Sequence, residues 1–401
     1  MNHEKPHPAV KAKRHGRTLT AVATLCALVA GAVAFGAWSR IEAGNSQPTP
    51  LANRMQSLVG EGFPAVLAAV TTAEGRQLDV AVGLGDRKSG AAPAVDGEVR
   101  IGSNTKMYVA TIVLQLMEEG RVELDEPIES YLPGLVTGDG IAGANITVRQ
   151  LLQHTSGLPE YAAEIAADAF AAQNSYLAPR ALLDIALTKP AVFAPGERWE
   201  YSNTNYVVLG LLIEKLTSRV LHEQIQERII GPLDLTHTYF PVPGEKGLRG
   251  AHPQGYHQDT LGELREITEM DPSFAWAAGA MVSSPGDLNR FSQKLLNGDL
   301  VSEASLEAMK SGVPAGDELW PKAVYGLGLQ GFPLSCGGFA WGHGGDIPGT
   351  QTRNAVGPDG TAVTIAVTAL PWALVDMSDE ARLLAKYQAV VDALDAALCG
   401  S

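Results

Sequence analysis

The chain of 401 residues is 45% hydrophobic and 18% charged, which excludes a disordered protein and suits one large domain or two moderate ones. Its net charge is −14; without residues 1–38, which carry five basic side chains and one acidic, it deepens to −18. So strong a negative charge argues against nucleic acid or anionic lipid as a partner.

The chain opens on a basic head, Lys5, Lys11, Lys13, Arg14 and Arg17, followed by an uncharged run from Thr18 to Ser39. That is the layout of an export signal. Small residues at Ala32-Val33-Ala34 offer a cleavage site, and the run is also long enough to stay as a membrane anchor. Either way the bulk of the chain is expected outside the cytoplasm. Residues 1–38 are read as signal or anchor, 39–55 as a linker around Gln47-Pro48-Thr49-Pro50, and 56–401 as the folded domain. Cys26 falls in the apolar run, which leaves Cys336 and Cys399 to pair in an oxidising compartment.

Short apolar alternations at Val66–Val70 and Leu78–Val82 predict two strands joined at Glu74-Gly75, and Val99-Arg100-Ile101 a short third. Helical spacing follows: Met107–Glu119, Val148–His154 with Thr147 as cap, Ala181–Thr188, Tyr206–Thr217, Val220–Ile229 and Asp287–Asn297. Strand character returns at Phe339-Ala340-Trp341, before an expected glycine corner at Gly342-His343-Gly344-Gly345. Asn354–Val356 and Ala362–Thr368 read as strands around Pro358-Asp359-Gly360, and Glu380–Leu398 as a long terminal helix. The pattern predicts an α/β fold of the α+β type. One antiparallel sheet would come from both chain ends, about 56–105 and 275–401, flanked by helices and interrupted by an all-helical region over about 106–274. Active sites often lie in the crevice between such parts.

Three motifs carry chemistry. Ser103-Asn104-Thr105-Lys106 puts a hydroxyl and an amine one helical turn apart, the minimum for a serine nucleophile activated by lysine. A free lysine has a pKa of about 10.4, so Lys106 needs burial or a second cation nearby to act as a base. Tyr201-Ser202-Asn203 follows the Pro195-Gly196 turn; a tyrosine hydroxyl can pass a proton, and an asparagine amide can hold a carbonyl or Lys106. His343-Gly344-Gly345 offers a bare backbone edge for a peptide-like substrate and a histidine able to add partial positive charge. Taken singly, each has an ordinary reading: a helix cap, an aromatic anchor, a glycine turn.

In this order the three motifs resemble the serine β-lactamase-like family of penicillin-recognising enzymes. The likeness is greatest to exported serine D-Ala-D-Ala carboxypeptidases and class C β-lactamases. It runs from about Gly60 to the C-terminus and includes Arg100-Ile101-Gly102, Leu151 to Pro159, Ala277-Ala278-Gly279 and Ser283 to Leu288. The late Cys336 and the Cys399-Gly400 ending are similar to the carboxypeptidase branch. The resemblance implies Ser103 as nucleophile, Lys106 as its base and Tyr201 as general acid/base. It implies substrate contacts at Asn203, His343, Gly345 and Asp346, with the amides of Ser103 and Asp346 as oxyanion hole. His154 is structural in that family, and His252 and His257 have no acidic or thiol partner at metal spacing. No cofactor is implied.

The expected activity is hydrolysis of D-alanyl-D-alanine in cell-wall stem peptides, by a monomer that β-lactams would acylate. Two departures keep other substrates open. Gly344 and Asp346 stand where carboxypeptidase relatives often carry hydroxyl residues that bind a terminal carboxylate. Gln330 and Gly331 occupy the stretch where some of them place an arginine. An inward-facing Asp346 would repel that carboxylate, and Arg353 is the candidate to compensate. The same chemistry would serve an esterase, a D-amino-acid peptidase or a class C-like β-lactamase. A penicillin-binding protein without turnover is a further reading.

Overall fold

The computed structural model describes residues 49–166, 168–316 and 319–400; the expected export signal, with Cys26, lies outside them. The first helix, α1 (Pro50–Gly60), begins on a cap. Thr49 Oγ accepts from the Ala52 amide at 3.1 Å, and Pro50 occupies the first turn. The fold thus starts inside the segment read as linker to residue 55, because a proline that punctuates a linker also initiates a helix.

A hairpin follows, β1 (Ala65–Thr71) and β2 (Gln77–Gly83). The remaining strands of the main sheet are β3 (Val313–Pro314), β4 (Val324–Tyr325), β5 (Gln330–Pro333), β6 (Phe339–Ile347), β7 (Thr350–Val356) and β8 (Ala362–Val367). The order is β2-β1-β8-β7-β6-β5-β4-β3, with every pair antiparallel. The first hairpin therefore joins strands from the far end of the chain, as the sequence pattern predicts. The principal helices are α2 (Thr105–Glu118), α3 (Val148–Leu152), α4 (Pro179–Leu187), α5 (Asn203–Thr217), α6 (Pro285–Leu296) and α7 (Glu380–Leu398).

Side-chain alternation divides the core into two layers. Val66, Ala68, Val363, Ile365 and Val367 pack with Met55 and Leu58 of α1 and Val390, Val391 and Leu394 of α7. Leu67 and Ala366 point to the opposite face, into the larger cluster that holds Tyr108, Leu288 and Phe291. Burying each large apolar side chain stabilises the fold by about 1.5–3 kcal/mol. Asn289 of α6 fixes the helix to the sheet, donating to Ala69 O at 2.9 Å and Ala362 O at 3.2 Å.

Four local expectations are corrected. Residues 342–345 are not a corner; they run through β6, because glycines there allow close packing on both faces. The segment from Val220 onward forms a short helix, Leu221–Ile225, then a π-turn over Gln226–Ile230. The helical region also carries short hairpins, at Thr137–Gly138 with Ile141–Ala142 and at Tyr256–Gln258 with Leu264–Glu266. Strands β3 to β5 escape a periodicity search because they span two to four residues and contain Pro314, Gly331 and Pro333.

Cys336 is joined to Cys399, with Cα atoms 5.8 Å apart and a sequence separation of 63. The bridge ties the end of α7 to the segment leading into β6. Closing a loop of that length stabilises by about 4 kcal/mol in the chain-entropy model. Cys399→Ser is expected to lower the unfolding free energy by about 2–4 kcal/mol in urea titrations, and reduction of the unmodified protein to match it. Identical urea midpoints with and without the bridge would contradict this.

Candidate active site

Ser103 lies in a 3-10 turn, Gly102–Asn104, that leads into α2. Gly102 has φ +49°, and a Cβ there would stand 2.9 Å from Asp346 N. Glycine is what lets the turn touch β6. Asn104 pins the other side, donating to Ile101 O at 2.8 Å and to Thr352 Oγ1 of β7 at 2.6 Å. Gly345 is equally constrained: a Cβ on it would meet Ile101 O at 2.0 Å and Asn104 Nδ2 at 2.6 Å. Among the described residues, the side of β6 that pairs with β5 has no strand partner beyond Gly342, so residues 343–347 keep one unpaired edge there.

Lys106 is fully buried. Its Nζ lies 3.0 Å from Ser103 Oγ, 2.8 Å from Asn203 Oδ1 and 2.7 Å from Ala278 O. The rings of Tyr201 and Tyr206 lie 4.8 Å and 5.4 Å from it. Burial depresses the amine to a pKa of about 7, against a smaller opposing pull from Glu160. A neutral amine has two N–H bonds and one lone pair. Asn203 Oδ1 and Ala278 O take the two donors, which leaves the lone pair facing the Ser103 hydroxyl.

Tyr201 reaches the site because its loop lies along the turn after α3. Gly196 N donates to Thr155 O at 2.7 Å and Glu200 N to His154 O at 3.0 Å. The Tyr201 hydroxyl is buried without a hydrogen-bond partner of normal geometry. Burial pushes its pKa well above the usual phenol value, opposed by the neighbouring Ser103 hydroxyl. It is therefore a neutral O–H close to Ser103. Asn203 opens α5, held by Glu160, whose Oε2 accepts from Asn203 N at 2.7 Å and Nδ2 at 3.1 Å. That carboxylate turns the amide so that its oxygen faces Lys106.

His343 departs from expectation. Burial, then the charge of Lys106, lowers its pKa to about 3. It brings a neutral ring, not partial positive charge, because burial strips the hydration that a cation would need and Lys106 disfavours a second positive charge beside it. Asp346 also differs from the inward-facing acid considered above. Its Oδ1 accepts from Arg353 Nη1 at 2.7 Å and its Oδ2 from Tyr387 Oη of α7 at 3.3 Å. Alternation along β6 sends Asp346 and Gly344 to the α7 face and His343 and Gly345 to the Ser103 face. Accordingly, a Cβ on Gly344 would stand 2.9 Å from Arg353 Nη1.

The structure thus gathers Ser103, Lys106, Tyr201, Asn203, His343, Gly345 and the Asp346 backbone in one place. Sequence reasoning missed Glu160, Tyr325 and the Ala278 carbonyl. Glu160 directly follows the Leu151–Pro159 segment singled out by motif, so extending that segment one residue would have included it.

A model of the beta-lactamase family matches residues 51–388, and the chain belongs to that family. Its fold is that of a family of serine hydrolases. A D-stereospecific amidohydrolase from Streptomyces sp. has a similar structure, with TM-score 0.77 and 32% identity over 89% of this chain and 100% of that one. A D-amino acid amidase from Ochrobactrum anthropi SV3 aligns with TM-score 0.74 and 25% identity, over 86% of this chain and 97% of that one. A putative D-alanyl-D-alanine carboxypeptidase from Escherichia coli (strain K12) is 29% identical over 57% of this chain and 58% of its own length. The chain spans no more than 60% of the length of the first curated relatives it matches.

Gly345→Ala is expected to slow acylation of Ser103 about 100-fold, since the added methyl must push the turn away from β6. Stopped-flow acylation by a chromogenic β-lactam reads this directly. A rate within a factor of about two of the unmodified protein would show that the close approach is dispensable.

Proposed function

We propose that the protein is an exported serine amidohydrolase that cleaves amides or short peptides of D-amino acids through an acyl-enzyme on Ser103. The single observation that carries the chemistry is the buried Lys106 amine, with Nζ 3.0 Å from Ser103 Oγ. At pH 7 about half of such amines are unprotonated, against about one in 2,500 for a free lysine. Lys106 takes the Ser103 proton as Oγ bonds to the substrate carbonyl carbon. The amides of Ser103 and Asp346 receive the oxyanion, each worth about 3–4 kcal/mol. Tyr201 donates its proton to the departing nitrogen as the C–N bond breaks and recovers one from Lys106. Water then attacks the ester with the roles reversed, releasing the acid and restoring Ser103.

The choice of D-amino-acid amides rests on Arg353. Its guanidinium lies behind β6, over the Tyr387 ring, where Nη1 donates to Asp346 Oδ1 at 2.7 Å and to Thr352 O at 2.8 Å, on the face turned away from Ser103 and from a carboxylate bound there. The likeness to the amidohydrolase and the amidase supports the same reading. The carboxypeptidase reading is favoured by a different observation, the match to the E. coli relative. A panel of D-amino-acid amides, D-Ala-D-Ala peptides and short esters separates the two. Turnover of amides well above that of D-Ala-D-Ala peptides is expected, and the reverse order would overturn the assignment. Ser103→Ala is expected to abolish both turnover and covalent capture of labelled penicillin; capture by that variant would refute Ser103 as nucleophile.

The pH profile follows from the sign of the shift. The active amine is the deprotonated one, so kcat/KM for amide hydrolysis rises with pH through about 7 and falls below it. Glu160 raises the Lys106 pKa, so Glu160→Gln is expected to move that rise to lower pH. A shift to higher pH would show that Glu160 acts through Asn203 position and not through its charge.

A further inference from the structure

A line of hydrogen bonds runs behind Tyr201. Ser202 N and Asn205 Nδ2 point at His154 Nδ1, at 3.3 Å and 3.0 Å. His154 Nε2 lies 3.2 Å from Tyr325 Oη, which lies 2.8 Å from His343 Nε2. His343 Nδ1 ends the line on Gly344 O at 2.5 Å. All three rings are buried. Asn205 presents its nitrogen to His154 because its oxygen accepts from Ser156 Oγ at 2.5 Å.

The two ends fix the direction of every bond between them. A backbone N–H only donates, so His154 Nδ1 holds a lone pair and its proton sits on Nε2. A backbone carbonyl only accepts, so His343 Nδ1 holds the proton and Nε2 the lone pair. Tyr325 then accepts from His154 and donates to His343. Reversing the line would set donor against donor at Ser202 and acceptor against acceptor at Gly344. A proton added to His154 would face the Ser202 amide. One added to His343 would turn the Tyr325 hydroxyl away from its acceptor.

We propose, resting on the reaction above, that Tyr325 is a positioning residue: with His154 it locks His343 as the neutral Nδ1–H form and fixes Tyr201 over Lys106. The His154 ring is the platform for Tyr201, with centroids 4.3 Å apart and planes inclined by 32°. The His343 bond to Gly344 O lies within β6 and sets the orientation of the ring on that strand. His343 is thereby excluded from proton transfer, which stays with Lys106 and Tyr201. The groups around it act in the same sense. Lys106 on α2 and Arg353 on β7 disfavour its protonation, while Asp346 on its own strand is paired to Arg353. The hydroxyls of Tyr201 and Tyr325 complete its surroundings, and Glu160 faces Lys106 from the loop after α3.

The test is nitrogen-15 NMR of histidine-labelled protein, assigned with His154→Gln and His343→Gln. In the unmodified protein His343 is expected as the Nδ1–H form and His154 as the Nε2–H form, neither titrating between about pH 5 and 8. Titration of His343 in that range, or its Nε2–H form, overturns the proposal without any variant. Tyr325→Phe, which removes the hydroxyl and both of its bonds to the two rings, is expected to reduce kcat about tenfold, with KM little changed. It is also expected to change the tautomer or titration of at least one of the two rings. Wild-type kcat together with unchanged histidine signals in Tyr325→Phe overturns it as well. Covalent capture of penicillin by Ser103 in the same variant reports the acylation chemistry separately, so failure of the lock and failure of the amidohydrolase reading give different results.

Discussion

Taking one amine out of water is the constraint on which this structure depends. A charged ammonium in so buried a place would lose its hydration, and among the described residues no carboxylate is in contact to replace it. The fold provides two carbonyl oxygens and a hydroxyl instead, at 2.8, 2.7 and 3.0 Å. Neutral oxygens satisfy an amine without holding its proton tightly. The distance of Glu160 matters for the same reason: in contact with Lys106 it would restore the ordinary lysine pKa, whereas one residue removed it orients Asn203.

Each of those oxygens is delivered by a different part of the chain. Ser103 comes from the turn before α2, Asn203 from the start of α5, and Ala278 from a short helix, Trp276–Gly279. The site is therefore the meeting point of the sheet region and the helical region, and its geometry reports on the packing of both. The glycines at 102 and 345 make that meeting possible. At each, a methyl group would occupy space that backbone atoms hold.

Much of this was legible in the sequence, for identifiable reasons. Ser103 and Lys106 stand one turn apart at the entrance to a strongly apolar helix, and Tyr201-Ser202-Asn203 sits at a helix entrance marked by Pro195-Gly196. Strands such as Ala65–Thr71 and Ala362–Val367 are long enough to show their alternation. What stayed hidden depends on tertiary contact. Tyr325 lies on a strand of two residues, and nothing local links it to histidines at 154 and 343. The neutrality of His343 follows from burial beside Lys106, which no spacing encodes. Asp346 was readable as an acid but not as an acid already paired, since its partners arrive from β7 and α7.

The period of two along β6 has a consequence for how this surface can be altered. His343 and Gly345 face Ser103, while Gly344 and Asp346 face the scaffold that Arg353 and Tyr387 brace from behind. Only the backbone at 346 is shared by both. Side chains on the rear face can then be exchanged to retune the electric field over the bound acyl group from a distance. The reacting atoms would keep their places, so the strand works as a tuning element whose adjustment and output lie on opposite sides.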